Sequence, residues 1–282
     1  VETLAGLLAD PHPHVRRFAR ASLLEMSRQD SLDALVREKA TNMLTGTDWR
    51  ELEQAALLVA QLEHAPAAPR LVGLLDQPRP EVLLSAAWAL RELAVPETFA
   101  DILTHAQAAT ERLQELPNDR VITREEFSRV RHLPGQLTFL FELFGAVEYQ
   151  PAEEVLREFV PKDGRLGHDA RAAAIWALGK LHAGEEDEQL AEQLADRLSD
   201  LNMFDPENDE VRHLSAVSLG RMEAGSQLKT LRQFQQLESG NYIGRSCAWS
   251  ISRITGEPLR EPGKQEVPQS GWFIEPLRRR GQ

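Results

Sequence analysis

The sequence predicts an all-α fold, a right-handed α-solenoid of about six to seven stacked helical pairs. Three observations carry this expectation. The stretch HDARAAAIWALGKLH at 168–182 reads as a helix with a small apolar face, because Ala170, Ala173, Ala174, Ala177, Leu178 and Leu181 recur at helical spacing. The same frame returns at 15–26, 82–93, 211–222 and 243–254, and its columns keep their character. Trp88, Trp176 and Trp249 share one column, while Ala86, Ala174, Ser215 and Cys247 share another that is always small. Turns that no helix interior tolerates, such as Asp10-Pro11-His12-Pro13 and Asp76-Gln77-Pro78-Arg79-Pro80, separate the segments. A recurrent helix with a small-residue face marks an array in which each unit packs closely on its neighbour.

In chain order, 1–9 and 12–27 form the first pair. Residues 31–44 lead into 49–64, where Asp48 and Glu51 have the spacing of a capping box. The third pair is 67–75 with 81–94. A longer helix then runs from Pro96 to about Leu116, followed by an irregular insertion at 117–133 with a short helix at 124–132. Helix 135–147, GQLTFLFELFGAV, carries Phe139, Phe141 and Phe144 on nearly two faces. Such a helix must be covered on both sides, most simply by the insertion. Pairs 151–160 with 168–182, 187–198 with 210–222, and 226–237 with 242–254 complete the array. The solenoid is thus expected over 1–255, with an extended tail at 256–282.

Composition bounds the function. The chain has 282 residues, a formal charge of −12 and 42% hydrophobic residues, enough for a core. The acidic balance argues against nucleic acid, whose phosphates are held by clustered Lys and Arg. No run approaches the ~20 apolar residues of a membrane span. A single cysteine, Cys247, excludes an intramolecular disulfide and a cysteine-based zinc site. The chain starts at Val1 within what reads as a helix already under way, so a preceding segment is expected.

The turn-plus-helix pattern D-x-P-x-V-R-x-x-A-x-x-A-L-G-x-L, clearest at 10–26, 76–93, 168–181 and 209–222, resembles HEAT repeats. The similarity is to the short bacterial type of phycobilisome-lyase-like proteins. Gly179 and Gly220 fill the glycine column; Arg16, Arg171 and Arg212 fill the arginine column. The resemblance implies a curved array whose second helices line a concave, protein-binding side. Another HEAT-like family, the deoxyhypusine hydroxylases, binds iron through His-Glu dipeptides; this chain has none, and His168-Asp169 is a single near miss.

Candidate sites are weighed against plainer roles. The three tryptophans read as packing between repeats rather than an aromatic cage. His12 and His14 sit in a proline turn and lack a third metal ligand. Residues 185–210 hold eleven acids against Arg197 alone, and Asp205, Glu207 and Asp209 could dock a basic partner. Their alternation fails as a calcium loop, because Glu210 stands where glycine is needed and Ala216 where the bidentate acid belongs. In the tail, Trp272 and Phe273 with Ile274 read either as a cap on the last repeat or as a linear motif, the cap being favoured; Arg278–Arg280 follow. The insertion carries Arg120, Arg124, Arg129 and Arg131, and is equally a binding arm or a shield for the phenylalanines. No phosphate loop, nucleophile elbow, metal cluster or cofactor motif is present. The expected function is therefore a non-catalytic scaffold that binds protein through its concave face. The alternatives are a phycobilin-lyase-like enzyme or accessory and, less favoured, a nucleic-acid binder.

Overall fold

A computed structural model describes residues 1–117 and 121–259, and it is all-helical among them. Seven antiparallel pairs follow one another: α1 (Glu2–Gly6) with α2 (Pro13–Met26), α3 (Asp30–Met43) with α4 (Trp49–Gln61), and α5 (Ala68–Val72) with α6 (Pro80–Leu93). Next, α7 (Phe99–Gln114) pairs with α9 (Leu133–Ala146), and the short α8 (Arg124–Val130) lies between them in sequence. The last three are α10 (Glu153–Arg157) with α11 (His168–Leu181), α12 (Glu188–Ser199) with α13 (Asp209–Arg221), and α14 (Leu228–Leu237) with α15 (Tyr242–Thr255). The fold is an α-solenoid of Armadillo/HEAT type.

Local chemistry sets the element ends. Asp48, Asp187, Asn208 and Asn241 accept backbone N–H bonds at the starts of α4, α12, α13 and α15. The capping box expected at Asp48 does not close, since Asp48 accepts from Arg50 N rather than Glu51 N. A complete box forms at α8 instead, where Thr123 and Glu126 bond reciprocally. First helices α5 and α10 are shorter than the sequence suggests. Pro66 and Pro69, and likewise Pro151, begin each as a tight single turn.

The corner between successive pairs is a repeated device. Glu63, Glu148 and Glu223 take positive φ of 51°, 52° and 55° after α4, α9 and α13. The next N–H, from His64, Tyr149 or Ala224, reaches back five residues to Val59, Phe144 or Leu219 O, each at 2.9–3.0 Å. This left-handed cap turns the chain sharply into the following first helix.

Second helices α2, α4, α6, α9, α11, α13 and α15 lie against one another in chain order, whereas first helices touch mainly their own partners. The tighter layer is the inner one, so the array curves around its second helices. Glycine makes the close approach possible. A Cβ on Gly179 would sit 2.8 Å from Ser218 Cα, on Gly220 2.6 Å from Ser250 Cα, and on Gly145 2.7 Å from Ala177 Cα. The opposing serines donate across the seam: Ser218 Oγ to Ile175 O at 2.8 Å and Ser250 Oγ to Ala216 O at 2.7 Å. Two helices therefore share a hydrogen bond where their backbones nearly meet.

The tryptophan column is corrected in depth: Trp88, Trp176 and Trp249 are half-buried, Trp88 and Trp176 pack against the core from its margin, and Trp176 opens onto the inner face. Two phenylalanines of the aromatic helix find their ring partners in the following pair. Phe141 packs edge-on against Phe159 at 4.7 Å and Phe144 stacks on Tyr149 at 5.6 Å, both from the following pair. Phe139 is left half-exposed under Arg91.

Because the seam has no room at its glycines, Gly179→Ala should destabilise the protein by about 1–3 kcal/mol. Gly6→Ala, at a helical site with nothing within 4 Å, should be neutral or stabilising by up to about 1 kcal/mol. Urea unfolding followed by helical circular dichroism measures both.

Candidate partner-binding groove on the inner face

Helices α6, α9, α11 and α13 enclose an open groove of about 940 Å³ on the inner face. Its apolar floor is made by Leu84, Phe139, Trp176 and Leu214, with Ala172 and Ala173 between them. These positions form a second stripe on each helix, turned away from the first-helix layer. Gly145 lets the indole come close to α9, since a Cβ there would stand 2.5 Å from the Trp176 ring.

Charges frame this floor. Arg91 lies 5.2 Å over the Phe139 ring and is paired with Glu92 and Glu142. Arg221 lies 5.4 Å over Trp176; burial pulls its guanidinium below the usual range, and no acid offsets this. At the opposite end, Asp169 and Glu210 stand exposed in the first turns of α11 and α13, where the helix dipole favours a negative charge. Among the described residues Asp169 pairs only with His168, at 3.1 Å, and Glu210 has no ion pair. The groove thus offers an aromatic floor and two available carboxylates.

Other clusters have structural explanations. Arg171 donates to Glu207 through two bonds of 2.7 and 2.8 Å and to Pro161 O at 3.0 Å. Arg212 does the equivalent one pair later, with Leu198 O, Asp209 and Glu238. Burial alone would raise the Glu207 carboxyl, but Arg171 outweighs it and holds the group below the usual carboxylate range. Glu153, His182 and Asp187 bring ligand atoms within 4.8 Å of one another. The Arg157 guanidinium already bonds both carboxylates there, so a dication would meet a fixed positive charge. Cys247 is buried, and burial pushes its thiol up to about 12, which suits packing and not nucleophilic chemistry.

The sequence-derived candidates separate accordingly. Glu207 is corrected: it is buried beneath its loop as the counter-ion of Arg171 and is not available for docking. Asp205 is exposed and braced by Lys162 at 3.1 Å, and Asp209 is exposed beside Arg212. Arg124, Arg129 and Arg131 are exposed on or beside α8. Arg120, Trp272 and Phe273 lie outside the described residues. None of the described candidates lines the groove. Leu84 and Arg91 on α6, Thr138, Phe139 and Glu142 on α9, and Asp169 and Trp176 on α11 recur at three-, four- and seven-residue spacing. That second stripe was the available signal.

Comparison with known proteins supports the repeat architecture. Residues 64–95 match the Armadillo/beta-catenin-like repeat, spanning the third pair. No curated protein matches the sequence. Among solved structures, the chain is similar to the complex of CpcE and CpcF of phycocyanin lyase from Nostoc sp., at 14% identity and a TM-score of 0.49, over 90% of this chain and 94% of that one. An engineered protein gives 18% and 0.47 over 91% and 68%. Human deoxyhypusine hydroxylase gives 17% and 0.33 over 91% and 96%. None is similar enough for its activity to be carried across.

The buried pair gives a prediction with a definite sign. Glu207 has a depressed folded pKa, so its stabilisation is full above the unfolded value, about 4.3, and is lost as pH falls through the folded one. Glu207→Ala should cost about 3–5 kcal/mol at neutral pH, because Arg171 remains buried without its counter-ion. It should also flatten the acid limb of a stability–pH profile measured by urea unfolding.

Proposed function

We propose that the protein is a non-catalytic scaffold that binds a partner protein in the groove between α6, α9, α11 and α13. The occupant is a segment with an apolar or aromatic anchor followed by a Lys or Arg. The observation that carries this reading is the pairing of a half-buried aromatic floor, Phe139 and Trp176, with the exposed carboxylates of Asp169 and Glu210. Half-buried aromatic anchors are the positions from which binding energy usually comes. Exposed rim carboxylates contribute orientation and encounter rate toward a basic partner. The overall charge of −12 acts in the same direction and opposes a polyanion.

Affinity purification from the native host tests the proposal with Asp169→Lys/Glu210→Lys, both exposed side chains. Its control is Glu188→Lys, an exposed first-turn acid on outer helix α12. The groove variant should lose its partner by about tenfold or more while the control retains it. Equal recovery from both variants removes the groove from the interface, and a pigment carried by the purified protein turns the account toward chromophore chemistry.

A further inference from the structure

All first-to-second helix connections leave the array at one edge, and two of them there are unlike the rest. The connection between α12 and α13 presents Met203 and Phe204 to solvent, 88% and 94% exposed. It is braced from several sides. Asn202 Oδ1 accepts from Phe204 N at 2.9 Å, Lys162 holds Asp200 and Asp205 at 3.1 Å each, and the buried Arg171–Glu207 pair anchors the base. Asp205, in the same connection, and Asp209, at the start of α13, are exposed, each beside one cation, Lys162 or Arg212.

The other connection, between α7 and α9, forms with the 76–80 turn a cleft of about 580 Å³. Arg79, Arg112, Arg129, Arg131 and His132 line it against one acid, Asp76, and its walls include Pro78, Leu83 and Leu133. The cleft is built on a fixed base, since buried Gln136 of α9 bonds His105 of α7 at 3.1 Å and Leu75 O at 2.8 Å. Phe127 stands on the same insertion, 56% exposed. Asp76 and Glu125 pair with Arg112 and Arg129, while Arg79 and Arg131 leave the cleft net positive. In a chain of charge −12 it is therefore complementary to an apolar tip flanked by acidic side chains.

Their placement decides the occupant. One connection separates them, the loop at 158–167, and it bonds to the end of α7 on one side and to the tip's loop on the other. Arg165 donates to Gln114 O and Leu116 O at 2.9 and 2.8 Å on one side, and Lys162 reaches Asp200 and Asp205 on the other. Tip and cleft therefore sit on one edge on either side of this loop, and within a chain the exposed Met203 and Phe204 do not enter the cleft. A two-fold axis through the intervening loop brings each tip onto the other copy's cleft, and the contact closes. We propose that this edge is a two-fold dimer interface in which the Met203–Phe204 loop of each copy enters the arginine cleft of the other.

Sedimentation velocity on the full chain, with circular dichroism to verify folding, tests this. Wild type should sediment at twice the 31.7 kDa chain mass at micromolar concentration, with dissociation strengthened by salt. Phe204→Ser and Arg129→Glu/Arg131→Glu, all at exposed side chains, should each weaken association roughly thirtyfold. An equimolar mixture of the two variants should recover dimer, because the heterodimer keeps one intact tip–cleft contact. A monomeric wild type, a dimer indifferent to both variants, or a mixture that stays monomeric would each overturn the proposal.

Discussion

The structure depends on how closely its second helices approach. At Gly145, Gly179 and Gly220 the neighbouring helix fills the space where a Cβ would be. The serines opposite Gly179 and Gly220 turn that proximity into a hydrogen bond with a backbone carbonyl across the seam. Small residues in one layer and bulkier, less closely packed helices in the other make the array curve. Curvature in turn creates an inner surface, and the residues that have no place in the seam come to line it. Trp176 shows the connection directly, because Gly145 both tightens the seam and makes room for the indole at the groove.

A second constraint acts at the edge. Arg16, Arg171 and Arg212 reach carbonyls released at the end of the preceding first helix, Asp10 and Pro11, Val160 and Pro161, and Leu198 in turn. Each also meets a carboxylate, Glu53, Glu207 or Glu238. A buried guanidinium with all these partners satisfies groups that a helix end leaves open. It fixes the angle between the pairs while adding little net stability by itself. This bracing also explains why the loop after α12 can hold two large apolar side chains in solvent without collapsing onto the core.

Much of the fold was legible in the sequence because the periodicity is strong. The small column, the glycine column and the proline turns identify the second helices and their order, with ends within about three residues. The functional surface was harder to read. Glu207 looks like any exposed loop acid in sequence, and only the three-dimensional return of the chain to Arg171 buries it. The tryptophan column has the spacing of a core column, yet its indoles are half-buried, and Trp176 opens onto the inner face. The corner residues Glu63, Glu148 and Glu223 share a register that the sequence does contain. It passes unnoticed because glutamate is not a residue expected at positive φ.

The inner groove is the central claim, and site-specific photo-crosslinking tests it most directly. A benzophenone side chain at Thr138, in the groove, is compared in host extract with one at Lys229 on outer helix α14, an exposed position. The account predicts one discrete protein adduct from Thr138 that is lost when Asp169 and Glu210 are reversed in charge, and none of that mass from Lys229. The same adducts from both positions, or none from Thr138 while a partner still co-purifies, would contradict it.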